Sequence, residues 1–483
     1  MSAEDRRAAA RAGGYPSGIA PATAIGVAFV AWGWVVGLGR LADNSFFTHL
    51  ATGRLILEGR FPRADVYSFT APGEPWVVQS WLASVLYALV DRVAGGDGVR
   101  LLTATLSAAI AGIAWRLTRP AGTLIPRIAL TALVVAVGAT VWSPRPLLIG
   151  LVLLALTLLV AEGVGPPWLL LPAYWLWANT HGSFPLGLVA LACLATGAWL
   201  DDRSRRPEVE LRALAWALGG TLAAVVGPLG PAVLVFPFRL LGRQELLGEV
   251  IEWQSPSFGE GWTRLFLLQV VLGIVGLVRR PSWRATVPFV VFVAAALFAA
   301  RNVAVASLVF VPGTAQGLAD LGSLTGRERS RRGAVAVAAV VVLGVGVSTL
   351  RLGRPTYDLR AYPVDAVAWI DREGWLDGGS RMATQETVGN YLELVRGARG
   401  EVFIDDRIDM YPEAVTRDFL TLLRGRPGWD AVLDAREVDV VLWQRSEPLA
   451  QLLAVDPRWR SAYVDQSWAV WCRRGSAPGG QRC

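Results

Sequence analysis

Long apolar stretches alternate with short polar turns from the N-terminal region to about residue 350. Stretches of about 17–25 apolar residues with few charges predict helices that cross a membrane. The sequence therefore predicts a multi-pass α-helical membrane protein with about eleven spans, which together form a transmembrane domain over residues 20–350. The predicted spans are 20–41, 98–117, 128–142, 147–162, 168–178, 184–200, 211–227, 263–278, 285–300, 303–320 and 333–350.

The first long polar connection, residues 42–97, contains a stretch with a helical period. Apolar side chains recur there at helical spacing from Trp81 to Val93, and few charged residues interrupt them. An amphipathic helix of this kind lies along a membrane surface rather than across it. We therefore expect 42–97 to be a loop that carries an interfacial helix.

The composition agrees with a membrane protein. Hydrophobic residues make up 53% of the chain, charged residues 18%, and the mean hydropathy is +0.42. A soluble domain carries about 25% charged residues, so disordered, coiled-coil and collagen-like classes are excluded. The net charge is +7, but no basic patch with interleaved aromatic residues indicates binding to nucleic acid.

The arginine distribution predicts the orientation, because basic residues are enriched in cytoplasmic loops. With residues 1–19 placed in the cytoplasm, the arginine clusters fall in the inner loops, and an odd number of spans puts the C-terminal part outside. The expected location is thus a bacterial cytoplasmic membrane with an extracytoplasmic C-terminal domain. The clustered residues are Arg203, Arg205, Arg206, Arg279, Arg280, Arg327, Arg329, Arg331 and Arg332.

Residues 355–475 differ from the rest because they are polar and contain no span. Helical and alternating patterns follow one another there, which predicts a small α/β domain, with residues 476–483 as a tail. The predicted helices are near 363–373, 412–424 and 447–455, and the predicted strands near 401–405, 438–443 and 467–472.

Unusual polar residues collect at the outer ends of the predicted spans. Charges near membrane depth are costly and usually face a cavity or a partner, so this set is the first candidate site. Asp43 is the candidate catalytic carboxylate, and the remaining residues are candidates for substrate binding. These are Asn44, His49, Arg54, Arg145, Asn179, His181, Glu252, Trp253, Arg301 and Asn302.

Each of these residues also has a structural interpretation. Arg301 either extends to the interface as a helix-end arginine or holds a phosphate or carboxylate. Asp43 either caps the helix that follows it or acts as a general base. Their convergence at one boundary favours a functional site over any single structural role.

A second candidate site follows a predicted strand in the C-terminal domain. Asp405, Asp406, Arg407 and Asp409 form an acidic cluster that could bind a cation or an acceptor glycan. Alternatively, the carboxylates cap the next helix. The chain has two histidines and lacks CxxC and HExxH patterns, so no metal site and no cofactor are expected.

Several of these stretches resemble a group of uncharacterised bacterial multi-pass membrane proteins. The group has a W-x-H-x-x-T-G stretch and a P-x-x-D-x-[FY]-S stretch in its first outer loop. The matching residues are 43–54, 59–70, 177–182, 252–256, 301–302 and 402–411. The layout in turn resembles the GT-C superfamily of polyprenyl-phosphate-sugar-dependent glycosyltransferases.

This resemblance implies a GT-C-like fold and transfer of a pentose or hexose from a lipid-linked donor to an envelope acceptor. Asp43 would be the base, and Arg301 or Arg145 would neutralise the departing phosphate. Many members carry a second acid in the first outer loop, whereas Asn44 follows Asp43 here and Asp65 is the later acid. The alternatives are a lipid or glycan carrier and a non-catalytic envelope scaffold.

Overall fold

The computed structural model of the chain describes residues 18–242, 251–326 and 328–475. A bundle of helices occupies most of the first two ranges, and an α/β domain follows it. The bundle helices are α1 Pro21–Gly37, α2 Asn44–Leu57, α3 Trp81–Leu117, α4 Leu124–Gly138, α5 Pro146–Ala161, α6 Leu170–Thr180, α7 Phe184–Asp201, α8 Glu208–Ala223, α9 Ala232–Leu241, α10 Gly261–Arg279, α11 Trp283–Phe298, α12 Val303–Val309, α13 Val311–Gly317 and α14 Arg331–Leu352.

Four helical segments of the described ranges are long and apolar enough to cross a membrane, namely Trp81–Ala121, Phe184–Asp201, Gly261–Arg279 and Arg331–Leu352. Five further apolar helices have 10–17 residues. The bundle is therefore that of a membrane protein, while the count of about eleven spans stays a prediction. The predicted span 303–320 is broken at Phe310, which separates α12 from α13.

The predicted interfacial helix and the second predicted span form one element, α3, with a kink. Gly95 has φ 62° and ψ −169° inside this helix, a conformation that a residue with a Cβ rarely adopts. The kink lets the first part of α3 run beside α2 while the second part packs against α1.

Helix α14 presents apolar side chains to its surroundings. Val342, Leu343 and Leu350 are largely exposed, and little of the helix is buried. Among the helices that the structure describes, α14 packs extensively against α1. An apolar surface of this kind is stable in contact with lipid, as expected for the last predicted span.

The C-terminal part contains a four-stranded mixed sheet in the order β1-β2-β4-β3. Strand β1 is parallel to β2, whereas β2 pairs antiparallel with β4 and β4 with β3. Its elements are α15 Val364–Arg372, β1 Met382–Thr384, α16 Glu386–Arg396, α17 Glu413–Leu423, α18 Trp429–Ala435, β2 Val440–Gln444, α19 Pro448–Val455, β3 Trp459–Val464 and β4 Trp468–Arg473.

The prediction of a strand near residues 401–405 is wrong. That segment is irregular, and its ladder contact is a single parallel bridge between Val402 and Ser68. Its apolar run is buried because it lies against α16, where an ideal Cβ on Gly389 would sit 2.0 Å from the carbonyl oxygen of Ile404. Only glycine permits this close approach.

The C-terminal domain is docked on the first long loop of the bundle. Helix α16 packs against α2. Val402 N–H donates to the carbonyl of Tyr67, and Phe69 N–H donates to the carbonyl of Val402, each at 3.0 Å. The loop therefore has two neighbours, with the bundle on one side and the C-terminal domain on the other.

Candidate functional site

An ion-pair chain joins three of the predicted site residues. Asp43 immediately precedes α2, and its Oδ2 accepts hydrogen bonds from Arg145 Nε at 2.5 Å and from Ser143 Oγ at 2.9 Å. Arg145 also binds Glu252 through Nη1. Burial lowers the pKa of Arg145, but the two carboxylates outweigh it and raise that pKa overall.

Asp43 does not cap the helix that follows it, because its side chain makes no capping hydrogen bond to α2. The side chain is 10% exposed, and Oδ1 is buried with no hydrogen-bond partner among the described residues. A buried acceptor without a donor is costly. One carboxylate oxygen of Asp43 is thus fixed by the protein, and the other is left free.

A cavity of about 250 Å³ lies next to Asp43. The end of α1, the middle of α3 and the turn at 142–144 surround it, and Asp43, Arg40 and Ser143 are among its lining residues. Since one water takes up roughly 30 Å³ of the liquid, this space can hold a much larger polar group.

Arg301 is a cation that forms no ion pair with any described residue. It lies in the short 3₁₀ turn Ala300–Asn302, which the hydrogen bond from Ala300 N–H to the carbonyl of Gln254 ties to the Trp253 region. Its guanidinium carbon lies 4.4 Å from the centroid of the Trp253 ring. In the described ranges Arg301 makes no ion pair and no hydrogen bond.

Burial and the nearby positive charge of Arg145 lower the pKa of Arg301, although Glu252 acts in the opposite direction. Two arginines are thus close enough to repel each other at this end of the bundle. A further anion would relieve that repulsion.

The two histidines are neutral members of the same region. Burial, followed by the charges of Arg301, His49 and Arg145, lowers the pKa of His181 to about 3. Burial and the charge of Arg145 lower the pKa of His49 to about 4. These electrostatic causes place the His181 ring near both arginines and the His49 ring near Arg145.

The hydrogen bonds of His181 fix its tautomer. Its Nδ1 accepts from Ser183 N–H at 3.1 Å and lies 2.7 Å from Ser183 Oγ, which itself accepts from Trp177 Nε1. Because Nδ1 is an acceptor, the proton of the neutral ring is on Nε2. His49 Nδ1 lies 3.0 Å from Ser84 Oγ and links α2 to α3.

Four other predicted residues have partners within the protein. Arg54 forms an exposed ion pair with Asp91 at 2.8 Å, and Asn302 donates to the carbonyl of Ala295. Asn44 is 3.5 Å from Asn390 in the C-terminal domain. Asn179 is fully buried, where it accepts from Trp81 Nε1 and donates to the carbonyl of Trp175. Their side chains hold the elements around the site together.

The second candidate cluster divides into two parts. Asp405 is buried and binds Arg407 through both carboxylate oxygens, at 2.9 Å and 2.6 Å. Arg407 also binds Asp65 at 2.7 Å, and its guanidinium lies over the rings of Tyr67 and Trp76. This buried cluster, which we call the Arg407 lock, joins the C-terminal domain to the first long loop. Asp409 lies in the turn that follows.

Asp406 points to a different place from Asp405. Its two oxygens accept hydrogen bonds from Ser45 Oγ and, at 2.7 Å, from Asn390 Nδ2. None of the four cluster residues caps the next helix, because α17 begins after Pro412 and has no side-chain cap. Within the described ranges no group of three or more His, Cys, Asp or Glu side chains is arranged to hold a metal ion.

Three residues near the site carry no signal in the sequence analysis. Ser143 binds Asp43, and Tyr362 donates to the carbonyl of Ala42 at 3.1 Å. Glu386 starts α16, and burial together with the charges of Asp406 and Asp405 raises its pKa to about 7. The Ser-Pro-Arg-Pro turn could have indicated Ser143, but no spacing marks Tyr362 or Glu386.

No family model and no curated protein sequence matches the chain. Solved structures of the arabinofuranosyltransferase AftD from Mycobacteria are similar to it. One is 14% identical with a TM-score of 0.45 and covers 95% of this chain. A mutant form of AftD is 16% identical with a TM-score of 0.49 and covers 94% of this chain.

The chain spans about two fifths of the length of those two structures, 40% and 42%. Both are structures of an arabinofuranosyltransferase. A likeness of this degree carries no conclusion about activity.

Proposed function

We propose that the protein is a membrane glycosyltransferase that moves a sugar from a polyprenyl-phosphate-linked donor to an envelope acceptor on the extracytoplasmic side. The observation that carries the proposal is the guanidinium of Arg301, which forms no ion pair with a described residue and is stacked on Trp253 at the same end of the bundle as Asp43. A cation outside any ion pair of the described residues, near a carboxylate with one free oxygen, suits a phosphate leaving group and a proton acceptor.

The donor phosphate would bind between Arg301, Arg145 and the Nε2–H of His181. The polyprenyl tail stays in lipid while the phosphate reaches the boundary, so the arginines need not enter the membrane core. Charge-assisted hydrogen bonds from guanidinium groups stabilise the negative charge that grows on the phosphate as the sugar leaves. The stacking of Arg301 on Trp253 holds its side chain in place.

Asp43 would act on the acceptor. In an inverting transfer the acceptor hydroxyl oxygen attacks the anomeric carbon, and the bond from that carbon to the phosphate oxygen breaks with its electrons going to phosphate. The hydroxyl proton goes to Asp43 Oδ1, while Arg145 and Ser143 hold Oδ2. A positioned general base of this kind contributes roughly 10²–10⁴-fold to the rate.

The test combines lipid binding with transfer. The full chain is purified in mild detergent, co-purifying lipids are measured by mass spectrometry, and transfer is assayed with labelled polyprenyl-phosphate pentose and hexose donors and synthetic glycoside acceptors. Arg301→Ala is expected to lose the polyprenyl phosphate that the wild type retains. Asp43→Asn is expected to retain that lipid and to lose transfer by about 10²-fold or more.

Two matched controls come from the first long loop. Arg63 is an exposed arginine whose guanidinium lies 5.7 Å from the ring centroid of Phe61, and Glu74 is an exposed acid. Arg63→Ala and Glu74→Gln should behave as wild type. Equal lipid retention in Arg301→Ala and wild type contradicts the phosphate site, and lipid retention without transfer of either sugar favours a carrier or a scaffold.

A further inference from the structure

Two half-buried carboxyl groups of the C-terminal domain form no ion pair with a described residue, although the more distant charge of Arg145 acts on one of them, Asp406. Elsewhere in this domain arginines bind such acids: Arg396 binds Glu401, and Arg436 binds Asp418. Asp406 and Glu386 have no arginine within ion-pair distance among the described residues, although both are largely shielded from solvent. Buried acids are normally paired, so this pair suggests a missing partner.

Asp406 lies at the seam between α2 and α16, and Glu386, the first residue of α16, is close enough to Asp406 to feel its charge. Asp406 accepts from Ser45, two residues after Asp43 in the chain. Tyr362 is hydrogen-bonded to the carbonyl of Ala42. Burial and then the negative charges of Asp43 and Asp406 raise the pKa of Tyr362, so one phenol is near both acids.

Two polar atoms, on the residues directly before α2 and α16, lack donors in the described part of the chain. Asp43 Oδ1 and Gln385 Oε1 are both buried and have no hydrogen-bond partner in the described part of the chain. Gln385 directly precedes Glu386, and Asp43 lines the 250 Å³ cavity. Asp43 Oδ1, Gln385 Oε1 and the Glu386 carboxyl group thus have no donor in the described part of the chain, whereas each Asp406 oxygen accepts one hydrogen bond. A ligand with several hydroxyl groups would supply the missing donors.

We propose that an acceptor glycan binds at this seam, with Asp406 and Glu386 accepting hydrogen bonds from its hydroxyl groups beside Asp43. This inference rests on the proposed function and names the acceptor side of the same site. The C-terminal domain then provides the acid that the first outer loop lacks, since Asp65 is held in the Arg407 lock.

A neutral polyol suits the seam better than a cation does. The pKa of Glu386 is raised to about 7, so a substantial share of Glu386 is protonated at neutral pH. A divalent cation would need ionised carboxylates in a closer arrangement than the structure offers.

The test measures glycan binding without the donor. Saturation-transfer NMR is recorded on the full chain in lipid nanodiscs with pentose and hexose trisaccharides as probes. Asp406→Asn and Glu386→Gln are expected to weaken the saturation signal at least tenfold while polyprenyl phosphate still co-purifies. The Glu386 side chain makes no hydrogen bond with a described residue, so Glu386→Gln should fold even if Asp406→Asn does not. The control is Glu413→Gln, an exposed acid of the same domain.

Three results would overturn the inference: no trisaccharide saturates the wild type, both variants bind as the wild type does, or binding requires Mg²⁺ or Mn²⁺ and is abolished by EDTA. The last result would assign the seam to a cation. Failure of the proposed function has a different signature, namely absent polyprenyl phosphate or absent transfer in a wild type that still binds the trisaccharide.

Discussion

Replacing Arg407 tests whether the C-terminal domain is held on the first long loop by a buried charge cluster. The Arg407 side chain is 6% exposed, and its Nη2 lies 2.7 Å from Asp65 and 2.6 Å from Asp405. Glu393 is 3.7 Å away, and all three carboxylate side chains are 0% exposed. Arg407→Met keeps most of the volume but leaves three buried acids without their cation.

Removing one partner of a buried ion pair costs about 3–5 kcal/mol, because the remaining charge is uncompensated. Since each 1.4 kcal/mol changes an equilibrium about tenfold, the docked domain should open about two to four orders of magnitude more often. Arg360→Met is the matched control. Arg360 also binds an aspartate, Asp358, but is 82% exposed, and such surface pairs contribute about 0–1 kcal/mol.

Hydrogen exchange followed by mass spectrometry separates undocking from unfolding. The backbone N–H groups of Phe69 and Val402 are bonded across the docking seam, so peptides containing them should exchange faster in Arg407→Met. Peptides from β2 and β4 are bonded within the domain and should keep their protection. Adding Asp65→Asn should recover part of the loss.

A docking role for Arg407 would be refuted if the exchange protection of the Phe69 and Val402 peptides changed no more in Arg407→Met than in Arg360→Met. Equal loss of protection in β2 and β4 would also refute it, because the arginine would then stabilise the domain itself rather than its docking.

Three further predictions concern the same region. Gly389→Ala should destabilise the packing of residues 402–404 on α16 by about 1–3 kcal/mol, measured as faster hydrogen exchange in peptides from both segments, whereas Gly344→Ala, whose Cβ meets nothing within 4 Å, should not; equal effects would contradict the close approach. Because the pKa of Glu386 is raised to about 7, its contribution to stability is present below pH 4.5 and is lost as the pH rises through about 7. Over this pH range the thermal midpoint of Glu386→Gln should therefore fall less than the thermal midpoint of the wild type. Parallel curves of thermal midpoint against pH would contradict the raised pKa. Because the pKa of His181 is about 3, the amount of polyprenyl phosphate that co-purifies should not follow an imidazole titration between about pH 5 and 8. A tenfold loss of this lipid over that pH range in the wild type, absent in His181→Gln, would contradict a neutral His181 ring.

Hydrophobic periodicity predicted most helices of the bundle, since their apolar stretches match their length. The prediction 184–200 corresponds to Phe184–Asp201, and 333–350 corresponds to Arg331–Leu352. Helix α2 was not predicted, because it is buried on several sides, from Phe46 to Leu55, between α3 and the C-terminal domain. A helix buried all round has no polar stripe to reveal its period.

The residues around Asp43 could be predicted to share one end of the bundle because alternate turns between spans lie on the same side. The sequence could not show which of two adjacent acids, Asp405 or Asp406, is free for a ligand. In a segment without helix or strand, the directions of successive side chains follow no regular period, so they cannot be predicted from the sequence pattern. One carboxylate here meets Arg407 and the other meets Ser45. Glu386 reaches the seam only through the packing of α16 on α2.

The first long loop couples the two clusters. Its start carries Asp43 and Ser45, which contact Arg145 and Asp406, and its middle carries Asp65, which contacts Arg407. Both contacts with the C-terminal domain must break when that domain undocks, so the free energy of the Arg407 lock also holds Asp406 near Asp43. A buried ion pair is expensive compared with apolar packing, but it has a specific geometry, which apolar contact alone does not impose. The Arg407 lock therefore fixes the position of the C-terminal domain relative to the bundle. The donor phosphate is proposed to bind to the bundle, and the acceptor is proposed to bind to the C-terminal domain.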